Sequence, residues 1–459
     1  MHGKYCLAGK LSSDKLWLEE RNPDSNLWLK AKTIMNIRNH LSKLLALVLA
    51  GLAVGKASAN GFRLADQDAA ATARGEAFVA TADNASAVYY NPAGITQLSS
   101  NSLRSGIYTI YLNPTFQPPV GRPNSGNSYS IDKKVATVPQ FFATHTLKSI
   151  PLSFGVGLYA PYGGNIAWPD STGFRAVATK GSLTYLRFNP VVAYQLLPSL
   201  SIGAGVMVDY AHIDMEQGLR SQSSPPNLFR FSGIGSSVGY NAGLRWQPIE
   251  QLSFGATFRN TTPMKFDGHT DFAQEPLLGP GQRNASMALN FPMTAVVGVS
   301  YRPTTNWNLE VDADYTDWSS FGKTSIQQQA PVPYPLDPTG KVPVTLKWQG
   351  SWMYEFGVTR YFDSGWHISA GYVFDQSSVP SSFYTPLAAD LDRHFFSVGA
   401  GYKGRRYSCD VTYQLGYGPA HTVTGSTPAS TPGQFAGQSA DGTYNFISHA
   451  VMVTFGLNF

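Results

Sequence analysis

The chain has 459 residues, of which 13% are aromatic and only 14% charged, against about 25% charged in an average globular chain. This composition argues against a disordered chain, which would be charged and poor in aromatic residues, and fits a β-rich protein with an apolar exterior. Nine of the 34 basic and four of the 29 acidic residues lie in residues 1–59, which leaves 25 of each sign in the rest. The basic pI belongs to that segment, so no nucleic-acid partner is expected.

Residues 1–59 predict an export leader. A basic segment from Arg38 to Lys43 precedes the apolar run Leu44–Val54, and the small residues Ala57–Ala59 form a cleavage site. The apolar run is shorter than the roughly 20 residues that a spanning helix needs. We expect translation to start at Met35 and cleavage to follow Ala59, with an uncleaved anchor as the alternative.

Residues 60–97 differ from everything that follows. The stretch is rich in Ala and small polar residues, lacks a period of 2, and contains Asn91-Pro92-Ala93-Gly94, which excludes a regular strand there. A segment of small residues before a long series of strands indicates a plug that a barrel closes around. A plain N-terminal linker is the alternative.

Residues 98–459 alternate strongly between apolar and polar positions. Around residues 305–318, for example, Trp307, Leu309 and Val311 alternate with Asn308 and Glu310. Several runs reach ten residues, enough to cross a bilayer at a tilt and longer than the strands of a soluble sandwich. Fourteen strands are predicted, at residues 99–112, 135–148, 151–162, 182–196, 199–216, 232–247, 251–268, 285–302, 305–328, 345–362, 366–376, 392–403, 406–418 and 444–459.

The predicted connections alternate in length. Short turns lie at Lys148–Pro151, Leu197–Ser199, Pro248–Glu250, Pro303–Thr304, Asp363–Gly365 and Lys403–Arg405. Long polar links lie at 113–134, 163–181, 217–231, 269–284, 329–344, 377–391 and 419–443. This alternation is typical of an outer-membrane barrel whose short turns are periplasmic, and the even strand number places both termini on that side.

The last predicted strand alternates and ends on Phe459, which resembles the recognition element of outer-membrane barrels. The barrel assembly machinery is therefore an expected partner, as are membrane lipid and lipopolysaccharide. Tryptophans near strand ends suit interfacial girdles. They are Trp246, Trp307, Trp318, Trp348, Trp352 and Trp366.

Five segments together resemble the FadL/TodX family of outer-membrane transporters for long-chain fatty acids and hydrophobic compounds. They are Asn60-Gly61-Phe62, Ala87–Gly94, Tyr315–Phe321, Phe374–Pro380 and Asp390–Arg393. The resemblance implies an all-β, 14-stranded antiparallel transmembrane barrel with an N-terminal hatch inside its lumen. It also implies capture by an extracellular groove, an interior pocket near the N-terminus, and lateral exit where the third strand is kinked.

Passive uptake by this route is physically reasonable, because holding an acyl chain in water costs about 0.8 kcal/mol per CH₂. We expect long-chain fatty acids as substrates, with aromatic or aliphatic hydrocarbons as the alternative. A general porin and a structural barrel are rivals from other classes, and the hatch sequence argues against a porin. No P-loop, HExxH or calcium-loop spacing is present, so we expect no enzyme, catalytic residue, metal or cofactor.

The resemblance also nominates site residues. Phe62 and Gly61 are candidates for the pocket, with anchoring of the hatch as the alternative role of Phe62. The hatch motif expected near the lateral opening is Asn91, Pro92, Ala93 and Gly94, and we expect the Asn91 amide to pair with backbone groups freed by the kink.

The kink itself is expected at Pro161, Gly163 and Gly164, since Pro cannot donate a ladder hydrogen bond and Gly permits a bulge. A simple strand-to-loop transition is the alternative. Possible partners of a substrate carboxylate are Lys265, Lys347, Arg360 and Arg393, for which pairing with lipid head groups or acids is the commoner role.

Overall fold

The computed structural model describes residues 61–459, except 100, 123, 133, 148, 219–227, 274–280, 330–339, 389 and 429–436. The predicted leader, its cleavage site and Asn60 lie outside the described residues.

The described residues form a closed antiparallel barrel of fourteen strands, seven of which are interrupted into two segments. In chain order these are β1 (Ser102–Leu112) with β2 (Thr115–Gln117), β3 (Tyr129–Ser130) with β4 (Val135–Thr146), β5 (Leu152–Tyr159) with β6 (Gly163–Ala167), β7 (Lys180–Leu197), β8 (Leu200–Gly218), β9 (Leu228–Ile249), β10 (Leu252–Arg259) with β11 (Thr262–Ala273), β12 (Gly281–Phe291) with β13 (Thr294–Thr304), β14 (Trp307–Thr316) with β15 (Lys323–Gln328), β16 (Lys341–Thr345) with β17 (Ser351–Tyr361), β18 (Trp366–Asp375), β19 (Arg393–Lys403), β20 (Tyr407–Val423) and β21 (Gly442–Asn458). The barrel closes where β1 pairs with β21.

The predicted fourteen strands are confirmed, with corrections at their ends. The third barrel strand does not end at residue 162, because it resumes as β6 after a break. The predicted strand 305–328 is interrupted after Thr316, and β11 and β20 extend into predicted links.

The two faces of the barrel wall differ as the alternation predicts. In β14, Trp307 and Leu309 are 42% and 44% exposed on the outside, whereas Asn308, Glu310 and Asp312 are buried inside. An apolar exterior around a polar interior is the arrangement that a barrel in lipid requires.

Residues 61–97, here called the hatch, lie inside the barrel. Its short helices are α1 (Ala69–Thr72), α2 (Ala87–Tyr90) and a 3₁₀ helix (Pro92–Gln97). Three further 3₁₀ turns lie at Asp170–Thr172, Trp318–Ser320 and Ser381–Phe383. The hatch bonds to strands on different sides of the wall, since the Ala69 amide donates to Thr454 of β21 and the Asn91 side chain donates to the Leu244 carbonyl of β9. A segment bonded in this way is not an external linker.

None of the helices in the described part of the chain is both long and apolar enough to cross a membrane.

Candidate functional site

An apolar cavity lies above the hatch, with an empty volume of about 740 Å³ that includes space open to solvent. Ser182 and Thr385 contribute the only hydroxyl groups among the residues that line it. The lining consists of Phe62, Gly164, Gly181, Ser182, Leu183, Ile213, Met215, Met287, Leu289, Phe291, Phe321, Val344, Leu346, Trp348, Thr385, Leu387 and Ala388. We call this cavity the pocket.

Interruptions in two neighbouring barrel strands build the aromatic side of the pocket. The break after β14 forms a 3₁₀ turn, which the Asp317 carboxylate caps by accepting from the Ser319 amide at 3.2 Å. This turn brings Trp318 and Phe321 inward, and the break between β16 and β17 does the same for Trp348. Trp318 and Trp348 were both predicted as girdle residues but are buried inside the barrel, so that prediction is wrong for these two residues.

Phe62 contributes both to the pocket wall and to anchoring of the hatch. Its ring lies edge-on to five others, with centroid distances of 4.9 Å to Trp318, 5.5 Å to Phe321 and 5.6 Å to Trp348. Edge-to-face aromatic pairs stabilise such a cluster by about 0.5–1.5 kcal/mol each beyond burial. The two roles proposed from the sequence are therefore compatible in this geometry.

Gly61 lies under the pocket rather than in its lining. Its φ is +60°, and a Cβ there would lie 2.8 Å from the Trp318 ring and 2.9 Å from the Trp348 ring. Both the backbone conformation and the space therefore require glycine. The Gly61 amide donates to Oδ1 of Asp390 at 3.2 Å, which ties the start of the hatch to an extracellular loop.

That loop, residues 376–392, folds inward and supplies Leu387 and Ala388 to the pocket. Its fold depends on Asp390, which is fully buried and accepts from the Ser378 amide at 2.7 Å. Burial raises the pKa of Asp390 despite the nearby Arg393. Burial, reinforced by repulsion from Asp390, raises the pKa of Asp392 to about 6.

The barrel wall has a window beside the hatch. β4 pairs with β5 only over residues 141–146, and β6 pairs with β7, so the described residues 135–140 and 163–166 share no strand ladder. The window ends on the extracellular side where the Asp132 amide donates to the Ala167 carbonyl at 3.0 Å. Pro161 lies in the break at the window, and Gly163 and Gly164 begin β6, without the positive φ that would demand glycine.

Residues 62–64, here called the latch segment, cover this window from inside. The Leu64 amide donates to the Pro161 carbonyl at 2.9 Å, and the Gly163 amide donates to the Phe62 carbonyl at 3.1 Å. The Leu64 side chain packs against the apolar cluster that contains Tyr108. A side-chain Cβ at Gly163 would lie 3.3 Å from Leu64, so this glycine permits a close approach.

Arg63 fixes the latch segment to the opposite wall. Its guanidinium donates to both carboxylate oxygens of Asp314, at 2.8 and 2.6 Å, and to Thr316 at 3.0 Å. The two side chains are 5% and 3% exposed. Beneath this pair lies a small polar cavity. It is lined by four carboxylates and two arginines, namely Glu76, Asp312, Asp314, Glu355, Arg63 and Arg259, with apolar and tyrosine side chains completing its wall.

The Asn91 motif lies against β8 and β9. The Asn91 amide donates to the Val79 carbonyl at 2.8 Å and to the Leu244 carbonyl at 3.0 Å, so the expected pairing with the kinked strand is wrong. Pro92 and Ala93 lie so close to the wall that a Cβ at Gly203 would be 2.6 Å from their backbone atoms. Gly94 packs equally closely on Ala82.

The four cations nominated for a carboxylate are absent from the pocket lining. Lys265 is exposed beside Asp267 at 2.7 Å, and Lys347 lies 4.6 Å from the Phe383 ring centre. Arg360 lies over the Trp307 ring at 5.3 Å. Arg393 pairs with Asp375 at 2.8 Å. Lys265 and Arg393 thus pair with acids, which the sequence analysis gave as the commoner role, whereas Lys347 and Arg360 lie over aromatic rings.

Sequence reasoning missed Arg63 and Leu64 as site residues. The sequence did contain a sign of this ion pair. Arg63 is a lone charge between Phe62 and Leu64, and the carboxylates of β14 all lie on the inward face of that strand. Their pairing across the lumen was not visible in either segment alone.

Comparison with known proteins gives concordant results. The family model described as outer membrane protein transport protein (OMPP1/FadL/TodX) matches residues 50–459. The long-chain fatty acid transport protein of Escherichia coli O6:H1 is 24% identical over 417 residues, covering 83% of this chain and 89% of the relative. Outer membrane protein P1 of Haemophilus influenzae is 23% identical over 412 residues, covering 80% and 87%.

Solved structures share the fold. A FadL homologue of Pseudomonas aeruginosa superposes with a TM-score of 0.75 at 18% identity, covering 87% of this chain and all of the homologue. The Pseudomonas putida toluene transporter TodX gives a TM-score of 0.63 at 14% identity, covering 87% of this chain and 100% of TodX.

Proposed function

Since the chain belongs to the OMPP1/FadL/TodX family of outer membrane transport proteins, we propose that it takes up hydrophobic compounds passively through the pocket and releases them laterally through the window. Its family makes it an outer membrane β-barrel transporter of hydrophobic compounds. Relatives named for long-chain fatty acids and structural neighbours named for toluene define the two substrate classes to compare.

The observation that carries this proposal is the adjacency of pocket and window. Phe62 lines the pocket, and Leu64, two residues later, covers the window. A compound in the pocket is therefore separated from the outer surface of the barrel by the latch segment. Displacement of these three residues would join the pocket to the surrounding lipid.

The direct route through the lumen is unfavourable for an apolar compound. Below the pocket the hatch is held by ion pairs, including Arg63 with Asp314 and Arg74 with Glu310 at 2.9 Å. Passing an acyl chain through such polar surroundings forfeits about 0.8 kcal/mol for each CH₂ that leaves apolar contact. Lateral exit avoids this cost, and we assign the hatch the role of a plug for the same reason.

Other proposed partners bind the outside of the barrel. Membrane lipid would contact the exposed apolar face of the strands, with lipopolysaccharide at its extracellular end. Phe459, 60% exposed directly after the closing strand β21, is the proposed contact for the barrel assembly machinery.

Pocket filling tests the proposed uptake. A Cβ at Gly164 meets nothing within 4 Å although this residue lines the pocket, so Gly164→Phe places a ring at the cavity with room for its first side-chain carbon. Gly126→Phe is the matched control, because a Cβ there also meets nothing and the residue lies in an exposed loop. Uptake of labelled oleate and toluene by cells that carry each variant should fall for Gly164→Phe alone. Equal uptake by both variants would refute a role for the pocket.

A reversible cross-link tests the lateral exit. In a Cys409→Ser background, a short thiol-reactive cross-linker with a reducible disulfide would join Leu64→Cys of the latch segment to Val138→Cys of β4, since both side chains pack on the same apolar cluster. Cross-linking should stop uptake while leaving binding intact, and reduction should restore it. Full uptake with the cross-link formed would rule out exit through the window.

A further inference from the structure

Resting on the proposed function, we propose that the pocket selects uncharged hydrophobic compounds, such as hydrocarbons and esters, and discriminates against ionised carboxylates. This inference names the substrate class of the same site.

The pocket offers no counter-ion. None of its seventeen lining residues is ionisable. Its neutral donors are the hydroxyls of Ser182 and Thr385 and the Trp348 indole N–H, which is buried and has no hydrogen-bond partner in the described part of the chain. Such donors satisfy a carbonyl or hydroxyl oxygen, but an ionised group taken out of water also needs compensating charge.

Cations close to the pocket are already engaged. Arg63 is bidentate with Asp314, and Arg393 donates to Asp375 at 2.8 Å. Lys180, adjacent in sequence to the lining residue Gly181, pairs with Glu216 at 3.1 Å. Lys347, between the lining residues Leu346 and Trp348, is exposed outside the lining, with its ammonium 4.6 Å from the Phe383 ring centre. To bind any of the other three cations, a substrate carboxylate would have to displace a protein carboxylate and leave it unpaired.

The acidic side chains beneath the pocket outnumber the basic ones. The polar cavity under Phe62 is lined by four carboxylates and two arginines, as described above. Asp390, buried next to Gly61, adds a further acidic group on that side. These groups lie behind the aromatic side of the pocket and do not line it, so neither arginine is a contact for an incoming carboxylate.

The aromatic floor suits neutral ligands. Phe62, Phe291, Phe321 and Trp348 present ring faces and edges to the cavity. These surfaces favour alkyl chains by apolar burial and aromatic rings by edge-to-face contact. The pocket therefore favours neutral ligands over ionised carboxylates, because its lining attracts apolar groups but provides no charge to compensate a carboxylate.

The test compares two ligands that differ in charge but not in chain length. Labelled methyl decanoate and decanoate are measured by equilibrium dialysis against the full-length protein in lipid nanodiscs, with empty nanodiscs as the blank. Ala388→Phe, which fills the pocket, identifies binding that belongs to this site. Measurements are made near pH 8, where a carboxyl is ionised, and near pH 4, where a large share of it is neutral.

We expect the ester to bind wild-type protein and not Ala388→Phe, and decanoate near pH 8 to bind at least about 100-fold more weakly than the ester. Near pH 4 the difference in affinity between the ester and decanoate should become smaller, because a large share of the decanoate is then neutral. Leu346→Lys, which adds a cation to the lining, should strengthen decanoate binding near pH 8 by about tenfold or more, whereas Leu346→Met should not.

The two hypotheses fail in different ways. Equal binding of ester and decanoate near pH 8, both lost in Ala388→Phe, would overturn the charge selectivity and leave the proposed uptake standing. Binding of neither ligand above the level of Ala388→Phe would overturn the proposed function itself.

Discussion

Replacing Asp314 by Asn should release the latch segment. Asp314 accepts two hydrogen bonds from Arg63, and both side chains are almost fully buried. Removing one partner of a buried ion pair costs about 3–5 kcal/mol when the remaining charge stays uncompensated. Here Asp312 and Glu355 line the same cavity and provide alternative partners for Arg63, so we reduce the expected cost to about 1–3 kcal/mol.

This cost should appear as local opening at Leu64 and Gly163, because Arg63 makes all the side-chain hydrogen bonds of the latch segment, while Phe62 stays packed in the aromatic cluster. The backbone of the latch segment contributes hydrogen bonds from Leu64 to Pro161 and from Gly163 to Phe62. A loss of about 1–3 kcal/mol raises the open population by about 5- to 150-fold. Hydrogen–deuterium exchange of the Leu64 and Gly163 amides, followed by mass spectrometry of the protein in nanodiscs, measures that population directly.

Asp267→Asn is the matched control, since it removes an ion pair with Lys265 whose side chains are 67% and 65% exposed. Exposed pairs contribute about 0–1 kcal/mol, and this pair is remote from the latch contacts, so exchange at Leu64 should not change. The double variant Arg63→Gln with Asp314→Asn should exchange more slowly than Asp314→Asn alone, because no unpaired charge remains. Unchanged exchange in a correctly folded Asp314→Asn protein would refute the latch.

Three further predictions concern the hatch and its loop. Asn91→Ala removes the donor to two buried carbonyls and should lower the free energy of unfolding in lipid vesicles by about 1–3 kcal/mol. As a control, Asn127→Ala at an exposed site should change this free energy by less than about 0.5 kcal/mol. Equal effects of the two substitutions would contradict the assigned hydrogen bonds. Gly61→Ala forces a Cβ against the rings of Trp318 and Trp348 at a positive φ. Ligand binding to the pocket should weaken by about tenfold or more, while the β-sheet circular dichroism of the barrel is retained. Unchanged affinity would show that the two Trp rings tolerate the methyl group. Because the pKa of Asp392 is raised to about 6, its stabilising contribution is fully present below the ordinary pKa of 3.8 and is lost as the pH rises through about 6. Amides of residues 376–392, corrected for intrinsic rates, should therefore exchange faster above pH 6, and Asp392→Asn should abolish this step; persistence of the step would assign it to another group.

Local sequence pattern was sufficient for the barrel. Alternation with a period of 2 reports which side of a strand faces lipid, and this property is legible within ten consecutive residues, as in Trp307 to Thr316. The number of strands and the short turns follow from the same signal. Strand breaks were harder to predict. Trp318 and Trp348 look like girdle residues in the sequence, but the turn after Asp317 brings Trp318 inward and the break between β16 and β17 does the same for Trp348.

The site was predictable only where a motif named it. Phe62 and the kink at Pro161 were nominated by resemblance, and the geometry brings them together through the latch segment. The nominated cations were not brought to the pocket, since each is engaged by a nearer carboxylate or ring. Position in a strand does not reveal which partner a long basic side chain will reach.

A lipid-facing barrel of fourteen strands and a chemically distinct segment before it can both be inferred from the amino-acid sequence, because each depends on neighbours in the chain. How the two combine depends on contacts between residues far apart in the chain. Arg63 meets Asp314 across a separation of 251 residues, and Gly61 fits between Trp318 and Trp348. Closure of the barrel brings these residues together. The result is a neutral pocket that lies above the charged hatch and next to the window in the barrel wall.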